Sequence, residues 1–93
     1  FKMADYVLNK DNPETKPFEF RGDCCICAKG NGSIRILREA NGKFEIMTDE
    51  KGSHLEFGST GGVAFNGTIS CGARMNYKIE AAGDMLVSIR SEK

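Results

Sequence analysis

The sequence predicts a small antiparallel all-β domain, a β-sandwich of about eight short strands. Three observations predict it. Short runs of alternating apolar and polar residues follow one another from Pro17 to Arg90. Glycine-bearing turn signals separate them at nearly regular intervals. Between them lies no segment long enough, or periodic enough, for a helix. A jelly-roll-like pair of sheets and a small barrel are the other ways to arrange so many short strands, and the sandwich is preferred.

The elements follow in order. Residues 1–16 read as a polar N-terminal arm, and residues 17–93 as the β-sandwich domain. Phe1 and Lys2 read as residues left by expression, with the natural chain starting at Met3. Within the arm, Tyr6, Val7 and Leu8 form one short apolar patch. It suits a first edge strand or a flexible arm that packs on a neighbour, so these three residues are the interface candidates. Pro13 and Pro17 exclude a helix here. Phe18 and Phe20 then share one strand face. Gly22-Asp23 turns the chain into a strand of cysteines with Ile26 facing the core. Gly30-Asn31-Gly32 is a hairpin signal, followed by Ile34 and Ile36 on an inner face. Asn41-Gly42 is the clearest two-residue turn, and Phe44 and Ile46 form the next inner face.

Asp49 to Gly52 is a charged turn. Leu55 and Phe57 alternate with His54 and Glu56, and Gly58 to Gly62 reads as a loop. Val63 and Phe65 form a short strand ended by Asn66-Gly67, and Ile69 and Cys71 share a face in the next. Tyr77 and Ile79 belong to the penultimate strand. Ala82-Gly83-Asp84 turns, and Val87 and Ile89 close the core in the last strand.

Composition narrows the function. A 93-residue chain buries only roughly 60–65% of its unfolded surface, so its core is thin. Assembly with further copies is the natural supplement. Thirteen basic and thirteen acidic side chains cancel, which leaves no electrostatic footprint for nucleic acid or an anionic membrane. No apolar run approaches the ~20 residues that span a bilayer. The N-terminus lacks the apolar core of a secretory leader.

Cys24, Cys25, Cys27 and Cys71 carry the only thiols. Alternation places Cys25 and Cys27 on one strand face and Cys24, Ile26 and Ala28 on the other. The strand reads as buried on both sides, its thiols acting as small hydrophobes. Two other readings are weighed against this one. Cys71 can join a disulfide, or Cys24 and Cys27 can begin a metal site with Cys71 and His54 as the remaining donors. Wide spacing in sequence disfavours the metal, so no metal and no cofactor are expected. Free thiols suit a reducing cytosol.

No catalytic residue is expected either, and the chain is read as a non-enzyme. His54, the single histidine, lies beside a turn and reads as a solvated strand residue. Asp49, Glu50 and Asp84 are turn acids. Gly58 to Gly62 lacks the Gly-Lys-Ser/Thr ending and following helix of a phosphate loop. Arg35, Arg38, Arg74 and Arg90 are scattered, against a nucleic-acid surface.

The run from Lys16 through KPFEFRGDCCICAKG, the NGKF hairpin, the DEKG turn, the FNG step and the closing YKIEA strand resembles the small β-structured accessory proteins of tailed bacteriophage virions. The resemblance implies a decoration, head–tail or tail component. It implies a homo-oligomer, a trimer foremost, that contacts other virion proteins after assembly in the host cytoplasm. It transfers no catalytic residue. The alternative is a carbohydrate- or ligand-binding β-sandwich module. Without Trp, it would rely on Tyr6 or Tyr77 as its stacking surface.

Overall fold

The computed structural model describes residues 2–91, and among them the fold is all-β with no helix. Phe1, on which half of the expression-remnant reading falls, lies outside the described residues. Four strands form one sheet: β1 (Lys2–Leu8), β2 (Phe18–Ala40), β3 (Lys43–Ile46) and β4 (Phe57–Ser91), in the spatial order β1-β4-β2-β3. Pairing is antiparallel throughout, because partner numbers fall as β2 numbers rise. Phe18 faces Tyr77 and Ile34 faces Phe57 on one edge, while Cys24 faces Ser91 and Arg38 faces Tyr77 on the other.

Two of these strands are too long to be straight. The 23 residues of β2 would span about 76 Å at ~3.3 Å each. The longest dimension of the molecule is 34 Å. Both β2 and β4 must therefore coil, and the register shows how. One edge of β4 is paired along its length by β1, by the stretch around Thr15, and by β2 up to Ile34. The opposite edge of β4, from Tyr77 to Ser91, pairs with β2 from Arg38 back to Cys24. A long two-stranded ribbon thus rolls up and hydrogen-bonds to itself.

This is why four strands appear where about eight were expected. Gly22, Gly30, Gly32 and Gly83 do not reverse the chain; ladder pairing runs through them. Alternation shows where a ribbon bends, but a bend and a hairpin use the same residues. The Asn41-Gly42 turn is found as expected, with φ of 54° and 81°, and it joins β2 to β3. The Asp49 turn is also present, its carboxylate accepting from the amides of Lys51 and Ser53 at 2.8 and 3.0 Å.

Of the two readings of the N-terminal arm, the edge strand is the one found. β1 pairs residue for residue with β4 from Met85 to Ser91. An Asx turn at Asn9 then carries the chain outward: Asn9 Oδ1 accepts from the amides of Asp11 and Asn12 at 2.9 and 3.0 Å. The chain rejoins β4 at Thr15, whose amide donates to the Ile79 carbonyl at 2.9 Å. In return Thr15 Oγ1 accepts from the Ile79 amide at 3.0 Å, so this buried hydroxyl completes the ladder.

The core is lined by Leu8, Phe20, Cys24, Ile26, Ala28, Ile34, Ile36, Tyr77, Ile79, Met85, Val87 and Ile89. Leu8 and Met85 were not expected there. Val63 was expected in the core and is exposed. Between Asn31 and Ala28 the β4 partners run Thr60, Gly62, Val63, Phe65, so Gly61 and Ala64 are extra residues. Each bulge shifts the alternation by one, and Val63 ends on the face opposite Phe65. Phe44 and Ile46 were also expected inside. Their partners Glu39 and Leu37 place them on the outer face instead. There Lys78 Nζ lies 4.9 Å above the Phe44 ring, and Leu37 is buried despite its outward parity.

Candidate interaction face

Four strand segments lie side by side in one section of the sheet: β1, the end of β4, β2 from Cys24 to Gly30, and the early part of β4. Alternation gives the section two faces. One carries Leu8, Met85, Val87, Ile89, Cys24, Ile26 and Ala28 into the core. The other is open, and the register lays it out in rungs. Met3, Arg90, Cys25 and Thr68 form one rung, and Asp5, Ser88, Cys27 and Asn66 the next. Val7, Leu86, Lys29 and Val63 form the third. Asp23 with Ser70 precedes these rungs, and Asp84, Asn31 and Thr60 follow them.

The large apolar side chains most open to solvent among the described residues are Met3 (61%), Val7 (65%), Val63 (59%) and Leu86 (40%). All four stand on this face. Its charges are partly matched. Arg90 Nη1 donates to Asp5 Oδ1 at 3.0 Å. The guanidinium, with help from the Ser88 hydroxyl, holds the Asp5 carboxyl below its usual range. Ser70 Oγ donates to Asp23 Oδ1 at 2.5 Å. Lys29 and Asp84 form no ion pair among the described residues.

The interface candidates divide. Val7 stands on the open face. Leu8 is fully buried and Tyr6 packs half-buried against the core, so neither is a free contact residue as expected. Their neighbours missed by sequence reasoning are Met3, Val63 and Leu86. The first two needed the register and the bulges to be found. Leu86 alternates visibly with Met85 and Val87, and that alternation was the one signal available.

The cysteine strand is buried on one side, not two. Cys24 is inside, Cys25 is exposed, and Cys27 is intermediate, because no second layer covers the open face. All four thiols are free. The metal candidates are dispersed: Cys24 and Cys71 share the inner face, Cys27 points outward, and His54 is exposed opposite Thr48 in a turn. Among the described residues no three His, Cys, Asp or Glu side chains gather at metal-binding distance. Burial, with smaller contributions from Cys25 and Cys71, pushes the Cys24 thiol up to about 11. It is therefore neutral at physiological pH, a poor ligand and a poor nucleophile.

These environments predict an order of reaction. In native protein Cys25 is expected to react first with a water-soluble thiol reagent, and Cys24 only on unfolding. Label counting by mass spectrometry on single Cys→Ser variants checks this, and equal native rates for the two would refute the assignment.

The remaining sequence candidates are occupied elsewhere. Arg35 pairs with Glu56 at 2.8 Å and Arg74 with Glu19 at 3.2 Å. With Arg90 on Asp5, three of those four candidate arginines are matched by acids and build no basic track. Tyr77 is buried, stacked 5.2 Å from Phe20, with its phenol 3.5 Å from Cys71 Sγ. Burial, then the Cys71 contact, pushes that phenol up to about 12. A buried ring offers no platform for a sugar. Comparison with protein-family models, with curated proteins and with solved structures returned no match for this chain.

Proposed function

We propose that this chain is a non-catalytic assembly protein that works through protein–protein contacts on the open face, as a symmetric homo-oligomer. The observation that carries the reading is the gathering of the most exposed large apolar side chains on one face of a thin domain. Val7 and Leu86 stand side by side, and Met3 and Val63 flank them across Asp5 and Lys29, so the face is apolar ground interrupted by single charges, as at the rim and core of a contact surface. The outer edge of β1, which has no strand partner among the described residues, adds a second reason. An unpaired strand edge invites pairing, and assembly is one way to cover it.

A bacteriophage virion is the proposed setting, with other virion proteins as further partners, and it rests on the sequence resemblance alone. In this reading the rolled four-stranded ribbon serves in place of the eight-stranded sandwich expected from the sequence, as a rigid unit suited to a particle surface. Gel filtration with light scattering tests the reading. A mass that rises to a multiple of the monomer as concentration increases is expected; a strict monomer over a wide concentration range would overturn it.

A further inference from the structure

We infer that the partner on the open face is a second copy of this chain, docked face to face about a two-fold axis parallel to the strands. The axis lies between the end of β4 and β2. The inference deepens the assembly reading and rests on it. The support is self-complementarity, read rung by rung from the register.

A two-fold axis in that position exchanges the outer columns with each other and the inner columns with each other. Val7 then meets Val63 of the partner subunit, apolar on apolar. Asp5 meets Asn66 of the partner subunit, a carboxylate against an amide that can donate to it. Asp84 meets Asn31 of the partner subunit in the same way. Leu86 lies over the aliphatic stem of the partner subunit's Lys29, whose ammonium reaches past it toward water. Arg90 faces the partner subunit's Cys25, and Met3 the partner subunit's Thr68. Among the described residues, none of these pairings brings like charges together.

The alternative two-fold axis runs across the strands through the middle rung. It would set Asp5 against Asp5 of the partner subunit on the axis itself, in the outer column, and like charges directly opposed there are unfavourable. The usual ~30° offset of packed sheets moves the outermost pairs by about 4 Å, less than the ~7 Å between rungs, so the register survives it.

Size sets the strength. Four strands at ~4.8 Å, over about nine residues at ~3.3 Å, give a footprint on the order of 550 Å² per copy. That is below the ~800 Å² per partner of a standard interface. The dimer is therefore weak and concentration-dependent.

Sedimentation equilibrium on the full chain tests the inference with charge-swap variants at the outer columns. Val63→Asp alone and Val7→Lys alone are each expected to weaken dimerisation ~10-fold or more. The double variant is expected to recover most of that loss, because the new charges oppose each other across the axis. Within one chain the two positions are about 14 Å apart, too far to pair directly. Thermal melting by circular dichroism checks that each variant is folded, which both exposed positions allow. A wild-type monomer at every concentration would overturn the assembly reading and this inference together. An oligomer indifferent to both single variants, or a trimer, would overturn this inference alone. Loss in both single variants without recovery in the double would also overturn it, since the axis would then be wrong.

Discussion

Gly32→Ala is expected to remove about 4 kcal/mol or more from a total of roughly 5–14 kcal/mol for a chain of this size, and so to lower the urea midpoint steeply. Two effects add. Gly32 sits at φ +156°, a region that costs a side chain ~1–3 kcal/mol to enter. A Cβ built there would also lie 2.1 Å from the Ala82 carbonyl oxygen. That atom belongs to backbone in the ladder between β2 and β4, so it cannot rotate aside. Gly30 and Gly83 repeat the arrangement, with Cβ positions 2.2 Å from the Asp84 oxygen and 2.6 Å from the Asn31 oxygen. The three glycines line the place where the two long strands cross most closely. Gly42→Ala is the control. It has φ +81° but nothing within 4 Å, so only the conformational cost of ~1–2 kcal/mol applies. Urea denaturation of the two variants separates the effects. Equal losses would show that conformation alone matters and that crowding at Gly32 does not.

The same glycines mark how much of the fold was legible in the sequence. Strand faces were read well wherever alternation was unbroken. Ile34 and Ile36 point inward as expected, as do Val87 and Ile89, because a period of two survives coiling. What alternation cannot report is the difference between a chain reversal and a bend inside a strand. Gly30-Asn31-Gly32 and Ala82-Gly83-Asp84 satisfy the chemistry of a turn, yet each lies opposite the other in a continuous ladder. Only the pairing partner distinguishes the cases, and it is far away in sequence. Val63 was lost for a related reason: one inserted residue at Ala64 inverts its face, and a second at Gly61 restores the phase of the residues before it.

The candidate face was legible in part. Val7 was identified from the short apolar patch in a polar stretch. Leu8, its neighbour, belongs to the core, because adjacent residues of a strand face opposite ways. Cys25 and Cys27 were correctly placed on a common face, but its exposure was not visible. A strand of small residues reads as buried on both sides whether or not a second layer covers it. The gathering of Met3, Val7, Leu86 and Val63 on one face depends on three strand pairings and two bulges, none of which composition records.

Phe20→Ala is expected to destabilise the fold by about 3–5 kcal/mol, the range for removing a buried aromatic ring. Phe20 is fully buried and is among the largest such side chains in the core. Its ring stacks 5.2 Å from Tyr77 and 6.2 Å from Phe18, with the planes at 27° and 14°. The three rings join the start of β2 to β4 around Met75 and Tyr77, where the ribbon begins to roll back on itself. Phe18 and Tyr77 are themselves 6.4 Å apart, so the rings form a triangle, and loss of its fully buried member removes apolar burial and loosens the point at which both edges of β4 are engaged. For a domain of this size 1 kcal/mol corresponds to ~4–8 °C, so the midpoint should fall by at least about 12 °C. Phe20→Leu keeps most of the volume and should cost less than half as much. Phe18→Ala removes a half-buried ring at the rim of the stack and should cost less than Phe20→Ala for the same atoms deleted. Calorimetric melting of the three variants decides the matter: equal shifts for Phe18→Ala and Phe20→Ala would show that the stack, rather than burial under the rolled ribbon, holds this corner of the sheet together.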